Sequence, residues 1–270
     1  MTVHHLDCAT MCPFGGRTLM GSGGLVLGSI VGHCLLVEGS DGLTLVDTGF
    51  GTADVANPRR LGFGMKTLLG ARLTWEGTAV QQVRRLGYRP EDVRRIAVTH
   101  LDLDHAGGLG DFPDAQVHVL EAEWHAATHP VFFDKMRYRQ PQWAHGPRWV
   151  KHRADGESWF GLTAIPLTDD ILLIPLPGHT RGHTGIAVRQ GDRWLLHCGD
   201  TYFHRDQLTP GHAVPPMWPL YHWINDSQPQ VRKESLAHLR SLRAEHGDAV
   251  SLFCAHDPHE LATMQSDQAH

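Results

Sequence analysis

Six consecutive residues, His100-Leu101-Asp102-Leu103-Asp104-His105, offer four side chains able to bind a metal ion. Imidazole nitrogens and carboxylate oxygens both take zinc at about 2.0–2.2 Å. A solvated charged loop would scatter such groups. Here they alternate with leucines and run into Ala106-Gly107-Gly108, the pattern of a turn entering a helix. In that turn His100 and Asp102 can point one way and Asp104 and His105 another, so two adjacent ions could be served. Three more clusters follow: Pro177-Gly178-His179-Thr180-Arg181-Gly182-His183, then His197-Cys198-Gly199-Asp200-Thr201-Tyr202, then Cys254-Ala255-His256-Asp257. A lone histidine after a strand is ordinarily structural; an ordered series of donor clusters points to a metal centre.

The elements needed to position these clusters are legible as short apolar runs. Arg95–Thr99, Ile171–Leu176, Arg193–Cys198 and Ala249–Cys254 read as strands, each ending at one of the clusters. Active-site loops collect at the carboxyl edges of strands in sheet proteins. His33–Glu38 and Leu43–Asp47, joined through Gly39 to Gly42, read as a β-hairpin. Gly185–Arg189 and Gln116–Leu120 read as further strands. Thr78–Leu86, Glu121–Thr128 and Val231–Glu245 read as helices, the last with Leu236, Leu239 and Leu242 on one side. Sheets covered by helices in layers are the expected architecture. Two aromatic- and proline-rich stretches, Pro130–Gly161 and Phe203–Pro229, fit neither period and read as lids or binding loops. The first carries Phe132, Phe133, Tyr138, Trp143, Trp149, Trp159 and Phe160, and the second Trp218, Tyr221 and Trp223.

Composition narrows the function classes. A net charge of −5 and no local run of Lys and Arg give no footprint for nucleic acid. No apolar stretch is long enough to span a bilayer, and the N-terminus has no basic region followed by an apolar run, so a cytoplasmic protein without membrane contact is expected. Five cysteines, an odd number in a chain of 270 residues, read as reduced thiols. Cys8 and Cys12 read as part of an N-terminal strand and turn, and Cys198 as a small buried residue.

The order of these motifs resembles the metallo-β-lactamase superfamily over nearly the whole chain. The family pattern H-x-H-x-D-H, a histidine in P-G-H-T, an aspartate in G-D and a last histidine match His100, Asp104, His105, His179, Asp200 and His256, and Val46-Asp47-Thr48-Gly49 looks like its early D-T-G turn. The resemblance implies a single αβ/βα four-layer sandwich with two divalent metal ions, Asp200 bridging them. It also implies a hydroxide shared by the ions that attacks a carbonyl, with Asp104 binding one ion and orienting the nucleophile.

The departure is Asp102, where the family has a second histidine. It is expected to ligate all the same, the alternative being to orient another ligand. Its harder oxygen leaves iron or manganese open beside zinc; a carboxylate at this place also occurs in the iron-using flavodiiron proteins. In detail the motifs look most like the lactonase branch, whose substrates are homoserine-lactone or related rings. That branch places a tyrosine shortly after the bridging aspartate to stabilise the oxyanion, a part that Tyr202 would take, with His183 behind the ligands. The expected partner is a small molecule with an apolar or ring portion, bound by a monomer or homodimer. A glyoxalase-II-like thioesterase, a stand-alone di-iron oxidoreductase and a non-enzymatic metal-binding sensor are the alternatives.

Overall fold

The computed structural model describes residues 1–131 and 134–268; Phe132 and Phe133 of the first aromatic stretch lie outside them. Six strands form one mixed sheet, β1 Thr2–Asp7, β2 His33–Gly39, β3 Gly42–Val46, β4 Val93–Ala97, β5 Gln116–Leu120 and β6 Arg148–His152, in that spatial order. Six more, β7 Glu157–Trp159, β8 Leu162–Thr168, β9 Ile171–Pro175, β10 Thr184–Gln190, β11 Arg193–His197 and β12 Val250–Phe253, form the second in sequential order. The helices are α1 Gly16–Met20, α2 Thr52–Ala56, α3 Ala79–Arg85, α4 Leu103–Ala106, α5 Glu121–Thr128, α6 Met217–Asn225, α7 Pro229–His246 and α8 Pro258–Gln268.

Side-chain alternation decides the layering. Leu35 and Val37 of β2 point between the sheets, where they meet Leu173 of β9, Ile186 and Val188 of β10 and Phe253 of β12. Their neighbours Cys34 and Leu36 point the opposite way, against Val80 and Val83 of α3 and Ala126 of α5. On the far side, Ile174, Ala187 and Leu196 face Leu236, Leu239 and Leu242 of α7. The period of two along each strand thus buries both faces of both sheets and yields the four layers.

The hairpin forms as the sequence suggests: Gly39 pairs with Gly42, leaving Ser40 and Asp41 as the turn, and Gly42 adopts a φ of 123°. The two long stretches differ from expectation. Pro130–Gly161 contains β6 and β7, and Phe203–Pro229 contains α6. β6 is an edge strand with no fully buried residue, so it lacks the apolar alternation that reveals a strand. α6 carries Pro219 in its first turn, where a missing N–H costs nothing.

Leu239 is fully buried where α7 meets the second sheet. Leu239→Ala is expected to lower stability by about 2–5 kcal/mol, read as a shift of the urea midpoint at unchanged slope.

Candidate metal centre

The four clusters converge at one edge of the sandwich. His100 lies in the loop after β4, Asp102 is the N-cap of α4, and Asp104 and His105 lie within α4. His179 comes from the β9–β10 loop, Asp200 follows β11 and His256 follows β12. Their donor atoms form three overlapping groups, each within 4.8 Å: His100, Asp102 and His179; His100, His105 and Asp200; Asp104, His105 and His256. Asp200 stands between the outer two. Its Oδ2 lies 3.4 Å from His179 Nε2 and 3.8 Å from His100 Nε2, while its Oδ1 lies 3.2 Å from His256 Nε2 and 3.4 Å from His105 Nε2.

Each imidazole is turned by what its Nδ1 meets. His105 Nδ1 donates to Asp47 Oδ2 at 2.8 Å and His256 Nδ1 donates to the Val31 carbonyl at 2.7 Å. His179 Nδ1 faces Asp226 Oδ1 at 3.4 Å. The Thr99 hydroxyl donates to Asp47 Oδ2, so it accepts from His100 Nδ1 at 2.9 Å. All four Nε2 atoms are thereby directed inward, the tautomer a metal needs. Asp47 reaches this position with a φ of 56°, a left-handed conformation that aspartate tolerates. Its carboxylate also accepts from the Thr99 N–H at 2.7 Å, which ends β4 at Ala97 rather than at Thr99.

Electrostatics and satisfaction agree with a cation site. His100 Nε2 and Asp200 Oδ1 are buried without a hydrogen-bond partner among the described residues. Burial works against protonation of His105, yet Asp200, Asp47 and Asp104 raise its pKa well above the imidazole range. His179 is likewise held at about 9, against burial, by Asp102 and Asp226. The carboxylates favour positive charge at these imidazoles, and a divalent ion at their Nε2 atoms would supply it. The residues present fit a pair of divalent ions, with Asp200 offering one oxygen to each set.

Further residues hold the ligand loops; sequence reading placed His183 behind the ligands but did not single out Glu123 or Asp226. Glu123 of α5 accepts from the Leu101 N–H at 2.9 Å, the Thr180 hydroxyl at 2.6 Å and the Gly182 N–H at 3.2 Å, tying the loop after β4 to the β9–β10 loop. Asp226 receives Arg232 Nε at 2.6 Å while it faces His179. His183 donates from Nδ1 to the Leu176 carbonyl and accepts the Asp200 N–H on Nε2 at 2.8 Å, so it places the aspartate rather than joining the donor groups. Gly199, with a φ of 53°, leaves room for that ring; a Cβ there would stand 2.4 Å from His183 Nε2. The Glu123 links have no signal in local spacing, because they join distant segments.

Tyr202 is not where the sequence placed it. Its side chain is fully buried behind the centre among Cys198 and Cys254, and its hydroxyl donates to Glu260 Oε1 at 3.1 Å. The backbone turn after Asp200 points the neighbouring Phe203 inward instead, 5.8 Å from the His179 ring and 5.5 Å from the His256 ring. Tyr221 of α6 meets Phe203 edge-on at 5.0 Å. Burial and then the carboxylates Asp104, Asp200 and Asp102 push its phenol well above the ordinary range.

Three outcomes follow. His105→Ala removes a donor shared by two of the groups and is expected to lose one equivalent of metal by elemental analysis; Asp47→Ala, which frees the His105 ring, should weaken metal binding by about 10–100-fold. Glu260 is pushed from 4.5 up to about 7 by burial and then by the Asp257 charge. The folded chain therefore binds a proton there that the unfolded chain has released, so this contribution, ~3 kcal/mol at most, is present below the unfolded pKa and lost as pH rises through about 7. Glu260→Gln should flatten that loss in denaturation curves measured on either side of neutrality.

Comparison with known proteins agrees with the geometry. Residues 27–236 match the family model described as the metallo-beta-lactamase superfamily. A probable metallo-hydrolase of Mycobacterium tuberculosis is 43% identical over 99% of this chain and 83% of its own length. The N-acyl homoserine lactonase AttM of Rhizobium johnstonii is 29% identical over 85% of this chain and 83% of its own. Among solved structures, an N-acyl homoserine lactone hydrolase with its product N-hexanoyl-L-homoserine at the catalytic metal centre superposes with a TM-score of 0.73, at 21% identity and 97% coverage of both chains. AidC, a dizinc quorum-quenching lactonase, superposes at 0.65 with 16% identity, covering 95% of this chain and 87% of its own. With its four-layer sandwich and its donors gathered at one edge, the chain belongs to the metallo-β-lactamase superfamily and carries that superfamily's fold.

Proposed function

We propose that the protein is a dinuclear metal-dependent hydrolase that opens a lactone ring. The observation that carries the reading is the two-sided placement of Asp200 between His100, Asp102 and His179 on one side and Asp104, His105 and His256 on the other. Two divalent ions held there, zinc by default with iron or manganese open through Asp102, would supply Lewis acidity and lower the pKa of water. Asp104, with Oδ2 at 3.6 Å from His256 Nε2, would orient the attacking water. Tyr221 takes the part that Tyr202 cannot: a neutral phenol beside the centre donates a hydrogen bond to the carbonyl oxygen as it gains charge.

The surroundings favour an apolar acyl chain or ring. Leu103, between Asp102 and Asp104, packs with Phe50, Phe203 and Trp218, and Met65 and Tyr221 extend that wall. Trp218 Nε1 donates to the Met20 carbonyl at 3.0 Å, fixing α6 against the C-terminal end of α1. Such a wall binds hydrocarbon and excludes water from the attack. The lactonase names of its relatives support the ring as the substrate's reactive part.

A panel of acyl homoserine lactones, other lactones, thioesters and phosphoesters tests this. Lactones are expected to give the highest kcat/KM; a larger value on thioesters would sink the lactonase reading. Tyr221→Phe should lower kcat about 10²-fold with metal content unchanged, whereas Tyr202→Phe should leave kcat near the parent value.

A further inference from the structure

One guanidinium is buried beside the centre. Arg137 comes from the first aromatic stretch, and its side chain is only 11% exposed. Its Nε lies 3.6 Å from Asp102 Oδ1, its Nη1 donates to the His179 carbonyl at 3.0 Å and its Nη2 donates to the Asn225 carbonyl. Two of its five N–H donors are thus taken by backbone carbonyls, which fix the guanidinium with its Nε edge toward Asp102. Its backbone is pinned as well: Arg137 closes the turn begun at Asp134, the Ser227 hydroxyl donates to Asp134 Oδ1 at 2.9 Å, and the next residue, Tyr138, donates its hydroxyl to Glu123 at 3.1 Å.

A fixed positive charge at the rim of a cation site opposes metal binding unless a negative charge stands between. Asp102 stands there. Its Oδ1 faces Arg137, while its Oδ2 faces inward, 3.2 Å from His179 Nε2 and 3.5 Å from His100 Nε2. We infer that Asp102 and Arg137 act as one unit in which Asp102 gives one oxygen to the first ion while Arg137 cancels its charge, leaving that donor set with the net charge of a neutral ligand. Arg137 is therefore a positioning residue: its hydrogen bonds to two backbone carbonyls hold its charge at Asp102. The inference rests on the proposed two-ion centre but not on the lactone substrate.

Metal retention tests the unit without any activity assay. The full-length protein and its variants, loaded with Zn2+ or Mn2+, are dialysed against graded chelator, and bound metal is measured by mass spectrometry. Asp102→Asn leaves Arg137 facing the ions unopposed and should weaken retention about tenfold or more. Adding Arg137→Met, or Arg137→Gln should the Met variant melt early, should recover most of that loss. Arg137→Lys alone, which keeps the charge but not the fork, should stay within about threefold of the parent. Double variants that retain metal no better than Asp102→Asn, although folded by their melting curves, would overturn the inference. A parent chain that retains no metal at all would overturn the two-ion reading beneath it.

Discussion

Three carboxylates at one sheet edge, the buried Asp104 and Asp200 and the half-buried Asp102, repel one another and create the demand that the surrounding structure answers. Alone in a dry interior they would be too costly to ionise. Four imidazoles are turned toward them by four separate hydrogen bonds, and one guanidinium is buried beside the outermost. Asp200 is the pivot, since its two oxygens face different donor sets. Its own placement is set from behind by the His183 ring on its N–H and by the left-handed Gly199 before it. A shift of this one side chain would misalign both sets together.

Precision at the edge comes from the layers beneath. The parallel strands β3, β4 and β5 place Asp47 beside the loop after β4, and Asp47 holds Thr99 and His105 at once. Glu123 does the same between the loop after β4 and the β9–β10 loop, which belong to different sheets. The two carboxylates act as buried cross-braces, each with its oxygens engaged, and such polar groups are stable inside a protein only when fully satisfied. Aromatic packing of Phe203 against His179 and His256 closes the side toward α6.

Local sequence revealed what is written locally. Donor types, their clustering and the apolar runs before them made the ligand loops legible, and β5 and α7 lie close to where periodicity places them. Contacts that depend on three-dimensional return were illegible. Arg137, Glu123, Tyr221 and Asp226 meet the centre from segments with no motif, and Arg137 is separated from His179 by 42 positions. Tyr202 misled because adjacency in sequence says nothing about which way a turn sends its side chains: Tyr202 goes to Glu260 and Phe203 to the ligands. The edge strand β6 and the proline-bearing α6 escaped for the opposite reason, their exposure and composition masking real elements.

The bond from His256 to the Val31 carbonyl closes a loop of 225 positions, and the Ala255 carbonyl accepts the His33 N–H beside it. Closing so long a loop is entropically slow to achieve, and it comes after local contacts in a folding chain. The segment His100–His105, by contrast, is contiguous. Each candidate donor group needs a residue from beyond the short segment, so a bound ion would be completed only when a distant loop has come into place. Once held, an ion would span remote parts of the chain, and opening either end would require releasing it first. Persistence of the folded state would then be governed by the rate of metal escape rather than by the depth of the hydrophobic core.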